Sequence, residues 1–391
     1  MKTLLFVTTE PSLSGAPVYL LKHIKQIKKQ YNTKIIVLFM YKNGALVEQF
    51  NEVATVYYWE DILSGGLCSN FLTKYIYKKV IKKIEPVGYF LFRLFFAFKL
   101  SKCTISSIIV NSSTIDKKAL VYLKKVTSVP VITIVHEGEK LLRIFNQDGT
   151  VEANLTNSDR IIAVSEYLKN VLLDLYNIKK EITVITGAID SHQQVQIADS
   201  FILDYKIPEN AQVVISSGWL SWHKGADFFI QTAIKITKSH TNVHFCWLGD
   251  AATDKDLEQF KFDIAKAGLE GRVHHIPSTH DPLSYFKRAD VFLMLSRNES
   301  FSLVTVEACS LKKPVLCFEK SGGPCEILNY DANLIIPYGD IDLLCEKLVG
   351  LLESDEKRSQ IGQTLYDRVM TNYTLEKTAS QLQKLIGVEN L

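Results

Sequence analysis

Two glutamates, Glu299 and Glu307, are separated by seven residues in a stretch that follows a predicted buried strand at 291–296. If a helix begins near Ser302, the unpaired amides of its first turn carry partial positive charge, which favours a diphosphate. Those amides belong to Phe301, Ser302 and Leu303. Carboxylates repel phosphate, so we expect the glutamates to accept hydrogen bonds from hydroxyls of a sugar and a ribose. An isolated pair at this spacing is more often helix-terminal charge on a solvated face.

Two further loops with glycine follow strands of the same predicted sheet. One spans 217–225, after the first strand of the second half of the chain, and contains Gly218 and Lys224. The other spans 321–327. Ligands of parallel α/β sheets bind outside the carboxyl ends of the strands. This shared position favours a functional role for Glu299 over the solvated helix face.

With these motifs in this order, the chain resembles the retaining glycosyltransferase family 4, whose members have the two-domain GT-B architecture. The resemblance covers nearly the whole chain and is most specific from Ile215 to Leu328. It implies an α/β fold of two doubly wound, Rossmann-like domains that face a central cleft. It also implies transfer of a sugar from a nucleotide diphosphate to a glycan, lipid-linked or other cell-envelope acceptor, with retention of anomeric configuration.

The resemblance implies roles for residues of the second domain. Glu299 matches the first glutamate of the family's EX7E motif, which contacts the donor sugar. Glu307 matches the second, which binds the ribose hydroxyls, and the backbone at 301–303 holds phosphate. Lys224 matches a lysine that offsets the charge developing on the leaving diphosphate, a contribution often worth several kcal/mol.

One position departs from the family pattern. The family's phosphate-binding arginine lies five residues before the lysine, and that position is Trp219 here. His223 lies where some branches of the family carry a neighbouring arginine. Gly218, Trp219 and His223 are therefore predicted to border the donor, and the sequence offers no obvious replacement for the arginine.

Three candidates lie in the first domain. Gly15 belongs to a small loop at 12–17 that resembles the family's Gly-Gly-Ala loop and would border the donor phosphates. His136 ends a predicted strand and matches the family's histidine that hydrogen-bonds the donor sugar, although a lone histidine is more often structural. Ser165 matches a family serine after the next strand, and a helix N-cap is the equally weighted alternative.

No aspartate pair indicates a metal site. Asp254 with Asp256, and Asp340 with Asp342, stand in polar stretches that lead into predicted helices, where acidic residues suit the helix dipole. We therefore expect metal-independent transfer, with no cofactor besides the donor substrate. The family mechanism implied is front-side displacement, in which the leaving phosphate oxygen takes the acceptor proton and positioning dominates catalysis.

The apolar pattern predicts the elements that position these residues. Short apolar runs alternate with longer amphipathic segments in both halves of the chain, which is typical of βαβ units on parallel sheets. Residues 188–210 are polar and weakly periodic, as expected of a linker. We predict an acceptor-side domain at 1–190, a nucleotide-sugar-binding domain at 191–372, and a C-terminal helix at 373–391 that returns to the first domain.

Composition excludes several classes of protein. The formal net charge is +3, from 45 basic and 42 acidic residues, which is too small to indicate nucleic-acid binding. Seven cysteines without CxxC or zinc-type spacing are typical of reduced thiols. The longest apolar run, at 87–100, carries two charges and is shorter than the ~20 residues that span a bilayer. These features predict a cytoplasmic protein.

Residues 71–102 combine eight basic and nine aromatic residues with a single acidic one, Glu85. A basic amphipathic segment can lie on an anionic membrane surface, which would suit a lipid-linked acceptor and a peripheral location on the inner face of the membrane. In the equally weighted alternative, the apolar residues pack on the first sheet and the lysines face solvent.

Two other functions stay open. Because Trp219 replaces the family arginine, the chain could be a catalytically silent GT-B subunit that holds an active enzyme or a glycan. Donor hydrolysis or transfer would distinguish the two, since a silent subunit shows neither. A nucleotide-sugar epimerase shares the architecture but usually lacks this EX7E placement, and ranks third.

Overall fold

The structure is a computed structural model that describes residues 2–64, 94, 96–191, 195–197 and 204–387. The chain divides into two compact units. Unit 1 comprises Met1–Thr186 together with Glu376–Leu391, and unit 2 comprises Gly187–Leu375. Most of the basic and aromatic segment at 71–102 lies outside the described residues.

The described residues of unit 1 form one parallel sheet with helices between the strands. The strands are β1 (Lys2–Thr8), β2 (Lys34–Phe39), β3 (Thr55–Tyr58), β4 (Thr104–Val110), β5 (Val131–Val135), β6 (Arg160–Ala163) and β7 (Ile182–Val184). The helices are α1 (Gly15–Gln30), α2 (Val47–Val53), α3 (Trp59–Ser64), α4 (Lys117–Thr127), α5 (Glu139–Phe145), α6 (Thr150–Asn157) and α7 (Glu166–Leu175). The strand order is β3-β2-β1-β4-β5-β6-β7.

The core of unit 1 follows from strands that are buried on both faces, as parallel strands between helices must be. Leu5 and Val7 of β1 lie in a buried cluster with Ile108 of β4. The apolar face of α4, including Leu120 and Leu123, packs in the same cluster. Burial of these residues fixes the register that places the strand-end residues at one edge of the sheet.

The described residues of unit 2 form a second parallel sheet. Its strands are β8 (Gln212–Ser217), β9 (Val243–Leu248), β10 (Val273–Ile276), β11 (Val291–Met294), β12 (Val315–Phe318) and β13 (Ile335–Ile336), in the order β10-β9-β8-β11-β12-β13. The helices are α8 (Ala226–Ile236), α9 (Asp254–Lys266), α10 (Pro282–Arg288), α11 (Leu303–Ser310), α12 (Gly323–Leu328), α13 (Ile341–Leu352) and α14 (Asp355–Asn372). Short 3-10 helices cover Trp222–Lys224 and Ala332–Leu334.

The last helix, α15 (Leu375–Ile386), packs on unit 1. Thr378 Oγ1 lies 3.4 Å from His23 Nε2 on α1. Arg160 of β6 donates to the Leu385 carbonyl at 2.8 Å, and Ser107 of β4 donates to the Ile386 carbonyl at 3.4 Å. The C-terminal helix and the residues at its end therefore contact α1, β4 and β6 of unit 1.

The predicted fold class, two doubly wound parallel sheets, is confirmed by the strand orders. The sequence analysis missed β3, a four-residue edge strand that is only half-buried. The predicted strand at 291–296 is longer than β11, and β13 has only two residues. His136, predicted to end a strand, is a loop residue just after β5.

Candidate functional site

Each sheet reverses its strand order once, between β1 and β4 in unit 1 and between β8 and β11 in unit 2. Open parallel sheets bind ligands at this switch point, outside the carboxyl ends of the strands. The predicted residues of unit 2 lie in the loops after β8 and β11 and in α11. Those of unit 1 lie after β1, β5 and β6.

In unit 2, the predicted residues Lys224 and Glu299 are in direct contact. Lys224 Nζ donates to Glu299 Oε1 at 2.5 Å, although the two residues are 75 positions apart. Their side chains are 24% and 12% exposed. Burial, the largest single influence, raises the pKa of the Glu299 carboxyl. The charge and hydrogen bond of Lys224, together with Ser296 and His223, outweigh burial and hold that pKa below its usual value. Glu299 is therefore ionised at neutral pH and is neutralised by Lys224.

Backbone hydrogen bonds hold Glu299 against the loop after β12. Its amide donates to the Ser321 carbonyl at 2.7 Å, and its carbonyl accepts from the Gly323 amide at 3.1 Å. A Cβ at position 323 would lie 2.3 Å from the Phe301 carbonyl oxygen, so glycine is required for this approach. The loops after β11 and β12, which were predicted to lie at ends of the same sheet, are therefore joined by backbone hydrogen bonds.

Two glycines shape the loop that carries Lys224. Gly225 has a φ of +82°, and a Cβ there would lie 2.2 Å from the Leu295 carbonyl oxygen just beyond β11. Gly218 has a φ of +136°, and a Cβ there would lie 3.5 Å from the Lys224 stem. Its carbonyl accepts from the buried Trp247 indole at 3.0 Å. Gly225 thus lets the loop that carries Lys224 approach the end of β11, and Gly218 leaves room for the Lys224 side chain, which contacts Glu299.

Arg297, which the sequence analysis missed, joins the same two loops. Its guanidinium makes a bidentate pair with Asp227, at 2.9 and 2.8 Å, and donates to the Trp222 carbonyl. Its Cζ lies 4.0 Å from the Trp222 ring centroid and 4.2 Å from that of Phe228. Asp227 neutralises this cation, and Arg297 acts as a clamp between the loop after β11 and the start of α8. Its partner is 70 positions away, so no local spacing reveals the pair.

The other residues predicted to border the donor lie in the same loop as Lys224. Trp219 and Trp222 are 54% and 58% exposed. The His223 carbonyl accepts from the Arg297 amide at 2.9 Å. The loop therefore presents two large aromatic side chains at its surface, and the donor-binding roles of Gly218, Trp219 and His223 stay predictions.

Helix α11 begins at Leu303, close to the predicted start. Ser302 before it has a φ of +80°, which is uncommon for a residue with a side chain. The Ser302 hydroxyl donates to Met294 Sδ at 3.1 Å and lies 2.8 Å from Thr305 Oγ1, so it does not cap the helix. The N-terminus of α11 therefore has no side-chain cap. Glu307 lies in the second turn and is partly buried.

In unit 1, His136 follows β5 and contacts Asn111, which follows β4. His136 Nε2 lies 2.9 Å from Asn111 Oδ1. The Asn111 side chain is fully buried, and its Nδ2 donates at 2.8 Å to the carbonyl of Ala16, next to the predicted residue Gly15. Burial lowers the pKa of His136 to about 3, and the neighbouring His23 disfavours a second protonated ring. The His136 ring is therefore neutral at physiological pH.

Glu137 ties the loops after β4 and β5 together. Its carboxylate accepts from Ser112 Oγ at 2.5 Å and Ser113 Oγ at 2.8 Å. It also accepts from the amides of Ser113 and His136, both at 3.2 Å. The sequence analysis gave Glu137 no role; these contacts make it a structural anchor for the neighbouring histidine.

The structure places two weaker candidates at helix starts. Gly15 is the first residue of α1, and Ser14 before it makes no side-chain cap. Ser165 is fully buried, and its Oγ accepts from the Leu168 amide at 3.0 Å as the N-cap of α7. The capping alternative for Ser165 is therefore observed, and donor contacts of Gly15 and Ser165 stay predictions.

The aspartates considered as metal ligands also lie at helix starts. Asp254 and Asp256 belong to the first turn of α9, and Asp340 accepts from the Leu343 amide at 2.9 Å as the N-cap of α13. Within the described ranges, no three His, Cys, Asp or Glu side chains are grouped to hold a metal ion.

None of the described helices is long and apolar enough to cross a membrane.

Two family models match the chain. Residues 199–368 match "Glycosyl transferases group 1", and residues 72–193 match "Glycosyltransferase Family 4". The first match contains Lys224, Glu299 and Glu307, and the second contains His136 and Ser165. The matched regions therefore include most of the candidate residues of both units.

Similar curated proteins are glycosyltransferases. The capsular polysaccharide biosynthesis glycosyltransferase CapM of Staphylococcus aureus is 24% identical over 233 residues, which is 58% of this chain and 60% of CapM. An uncharacterized glycosyltransferase of Methanocaldococcus jannaschii is 29% identical over 299 residues, 72% of this chain and 76% of that protein. The match to CapM thus spans less than two thirds of that relative.

Among solved structures, HepE of Anabaena in complex with UDP and glucose is similar to the chain with a TM-score of 0.77. The match covers 99% of this chain and 100% of HepE, at 17% sequence identity. A likeness at this identity concerns the fold alone, and it agrees with the two-domain α/β architecture predicted from the sequence.

Proposed function

Because the chain belongs to the family 4, group 1 glycosyltransferases of GT-B fold, we propose that it transfers a sugar from a nucleotide diphosphate to a cell-envelope acceptor. The acceptor is a glycan or a lipid-linked precursor, in line with the capsular polysaccharide biosynthesis in the name of CapM. The observation that carries the proposal is the ion pair of Lys224 and Glu299 at the switch point of unit 2.

In this proposal the donor diphosphate binds Lys224 and the first amides of α11. Lys224 neutralises Glu299 in the structure, and a diphosphate offers the ammonium a second anion. Glu299 can then accept hydrogen bonds from the donor sugar, and Glu307 from the ribose. As the bond between sugar and phosphate breaks, negative charge grows on the phosphate oxygen and is stabilised by the ammonium and the amides.

Transfer with retention is proposed to follow front-side displacement. The acceptor oxygen bonds to the anomeric carbon on the face that the phosphate leaves, and the leaving phosphate oxygen takes the acceptor proton. This route needs no carboxylate nucleophile and depends on holding both substrates in place. The positive charge for the leaving group comes from the chain itself, so we propose transfer without a metal ion.

Thermal stability in the presence of nucleotide sugars tests the donor site. UDP and UDP-glucose are the first probes, since HepE was solved with UDP and with UDP-glucose. A ligand at 100 times its Kd stabilises the folded state by about 2.7 kcal/mol and so raises Tm. Lys224→Met should remove most of this increase, because the ammonium that holds the diphosphate is lost.

Lys235→Met is the matched control for that substitution. Lys235 pairs with the exposed Asp342 on the same unit, away from the loops that carry Lys224 and Glu299. Its removal should leave the donor-induced increase in Tm intact. A nucleotide sugar that stabilises Lys224→Met as well as the unaltered chain would show that the diphosphate binds elsewhere.

A catalytically silent subunit is the second candidate function. It is favoured by Trp219, an exposed indole at the position where the family carries a phosphate-binding arginine. Incubation of a stabilising donor with acceptor lipids or glycans separates the two candidates. A silent subunit should show neither transfer nor donor hydrolysis, and the Glu299→Ala variant should give the same result as the unaltered chain.

We also propose that the protein works from the cytoplasm, as a peripheral protein on the inner face of the membrane, through 71–102. In the described part of this segment, Leu94 and Phe98 are exposed, and Lys102 Nζ lies 4.2 Å from the Phe98 ring centroid. Co-sedimentation with liposomes should therefore require anionic lipid. Unchanged sedimentation after charge reversal of Lys78, Lys79, Lys82 and Lys83 would contradict the proposal.

A further inference from the structure

We infer that Asn111 is a positioning residue that fixes His136 as an acceptor for a sugar hydroxyl, so that the site takes a neutral hydroxylated sugar rather than a uronic acid. The specificity rests on the proposed function, because it takes His136 as a contact of the donor sugar. The positioning rests only on contacts within unit 1.

The amide of Asn111 has one workable orientation. Its Nδ2 donates to the Ala16 carbonyl at 2.8 Å and lies 3.5 Å from Thr8 Oγ1. A reversed amide would place Oδ1 against the Ala16 carbonyl oxygen, and two acceptors cannot share a hydrogen bond. Asn111 is fully buried, so such a contact would leave both oxygens unsatisfied at a cost of about 1–3 kcal/mol. Oδ1 therefore faces His136.

This orientation sets the tautomer of His136. Asn111 Oδ1 can only accept, so His136 Nε2, at 2.9 Å, carries the hydrogen. The ring is neutral at pH 7, since burial lowers the pKa of His136 to about 3, so Nδ1 carries a lone pair. Among the described residues, no side chain or backbone group hydrogen-bonds Nδ1, and His136 as a residue is partly exposed. Nδ1 thus offers a hydrogen-bond acceptor to a ligand.

The neighbouring His23 has the opposite tautomer. Its Nδ1 lies 2.9 Å from the Tyr19 carbonyl, which can only accept, so the hydrogen is on Nδ1. The Tyr19 ring contacts both histidines, with centroids 4.0 Å from His23 and 5.0 Å from His136. Two histidines that contact one ring therefore differ in the nitrogen that carries the hydrogen. His23 serves as an internal reference for His136.

The lone pair of Nδ1 discriminates between sugars. Glucose and glucuronate differ only at C6, so the discrimination applies to a sugar whose C6 group faces Nδ1. There the hydroxyl of glucose can donate to Nδ1, whereas the ionised carboxylate of glucuronate has only acceptor oxygens. A site built to bind a hydroxyl strongly rejects analogues that cannot make the bond. We expect UDP-glucose to bind at least about tenfold more tightly than UDP-glucuronate.

Nitrogen-15 spectra of the histidine-labelled full-length protein test the tautomers without relying on catalysis. We expect a protonated Nε2 in His136 and a protonated Nδ1 in His23, with His136→Gln and His23→Gln used to assign the signals. A hydrogen on Nδ1 of His136, or a charged ring at pH 7, would overturn the inference. This measurement needs no variant of Asn111, so it decides the matter even if such a variant fails to fold.

Two substitutions of Asn111 test its effect on His136. Asn111→Leu keeps a similar volume but removes the acceptor, so the His136 Nε2 hydrogen should exchange with water about tenfold faster and the preference for UDP-glucose should shrink. Asn111→Asp keeps an acceptor but adds negative charge, which should protonate Nδ1 and shift binding toward UDP-glucuronate. Unchanged hydrogen exchange and sugar preference in both variants would overturn the role of Asn111.

The outcomes separate this inference from the proposed function. The expected tautomers with no binding of either nucleotide sugar would support the positioning by Asn111 and contradict the specificity together with the proposed donor. Binding of a nucleotide sugar with the opposite His136 tautomer would support the proposed function and contradict the positioning.

Discussion

Lys224 and Glu299 lie close together because the backbones that carry them approach closely. A surface ion pair contributes only about 0–1 kcal/mol, and a buried one must offset the cost of removing two charges from water. The approach depends on Gly225 and Gly323, where a Cβ would lie 2.2 Å from the Leu295 carbonyl oxygen and 2.3 Å from that of Phe301. The pair is therefore formed before any ligand arrives.

Gly225→Ala should destabilise the protein more than alanine at a glycine with the same backbone conformation but free space. Gly339 is that control, since its φ of +79° is close to the +82° of Gly225 and no heavy atom lies within 4 Å of its Cβ position. Alanine at Gly339 should cost about 1 kcal/mol of backbone strain. Alanine at Gly225 should cost about 1–3 kcal/mol more, because the backbone at Leu295 must move.

Chemical unfolding of the two glycine variants measures the difference in free energy of unfolding. The donor-induced increase in Tm should also fall in Gly225→Ala, since Lys224 precedes this residue. Equal losses of stability at Gly225 and Gly339 would mean that the loop relaxes without cost.

Two ion pairs join the segments that follow β8 and β11. One is Lys224 with Glu299, and the other is Arg297 with Asp227. Arg297 is only 10% exposed, whereas Asp227 is 39% exposed. The pair of Arg297 and Asp227 keeps the backbones that carry Lys224 and Glu299 close together, because Arg297 is two residues before Glu299 and Asp227 lies in the first turn of α8, just after Lys224. Donor affinity and local stability should therefore change together.

Asp227→Asn should lower the free energy of unfolding by about 1–3 kcal/mol, less than the about 3–5 kcal/mol for breaking a fully buried pair, because Asp227 is partly solvated. It should also reduce donor affinity, since the Glu299 loop loses its clamp. Glu139→Gln is the control: it breaks the exposed pair with Arg143 and should cost less than about 0.5 kcal/mol. Similar losses in the two variants would show that the clamp has no special role.

The positions of Lys224 and Glu299 could be predicted because parallel strands bring their carboxyl ends to one edge of a sheet. His136 was found by the same rule. Asn111 also follows a strand directly, but nothing near it in sequence indicates that its side chain faces His136. Arg297 was missed because pairing through space with a residue 70 positions away leaves no local pattern.

Elements with weak burial were the hardest to predict. β3 has one exposed and three half-buried residues and lies directly between α2 and α3, so the apolar run at 53–59 extends into the ends of two helices and does not mark a separate strand. The predicted start of α11 near Ser302 was close to the observed one, yet the left-handed backbone of Ser302 could not be foreseen, since serine has no preference for it.

For the molecule as a whole, buried neutral histidines set the response to acid. Burial lowers the pKa of His23 and that of His274 from 6.5 to about 4 in the folded state, and that of His136 to about 3. Between these values the unfolded chain binds protons that the folded chain excludes, so stability rises with pH from about 4 to 6.5 and is fully present above 6.5. Each histidine contributes about 1.4 kcal/mol per pH unit in that window.

Unfolding by urea at pH 7.5 and pH 5.5 should therefore show a loss of about 4 kcal/mol on acidification from these three histidines. Glu299 does not contribute there, because its lowered pKa makes it lose charge only at more acidic pH. His23→Gln should reduce the loss by about 1.4 kcal/mol. The same loss in that variant as in the unaltered protein would contradict burial of a neutral His23.

The chain has four tryptophans, and only Trp219 and Trp222 are exposed, both in the loop that carries Lys224, whereas Trp59 and Trp247 are buried. Their fluorescence should therefore contain a red-shifted component that a water-borne quencher such as acrylamide reaches and a blue component that it does not. A nucleotide sugar seated against this loop would shield the first component and leave the second unchanged. The protein thus carries a built-in optical reporter of an occupied site, readable without any label.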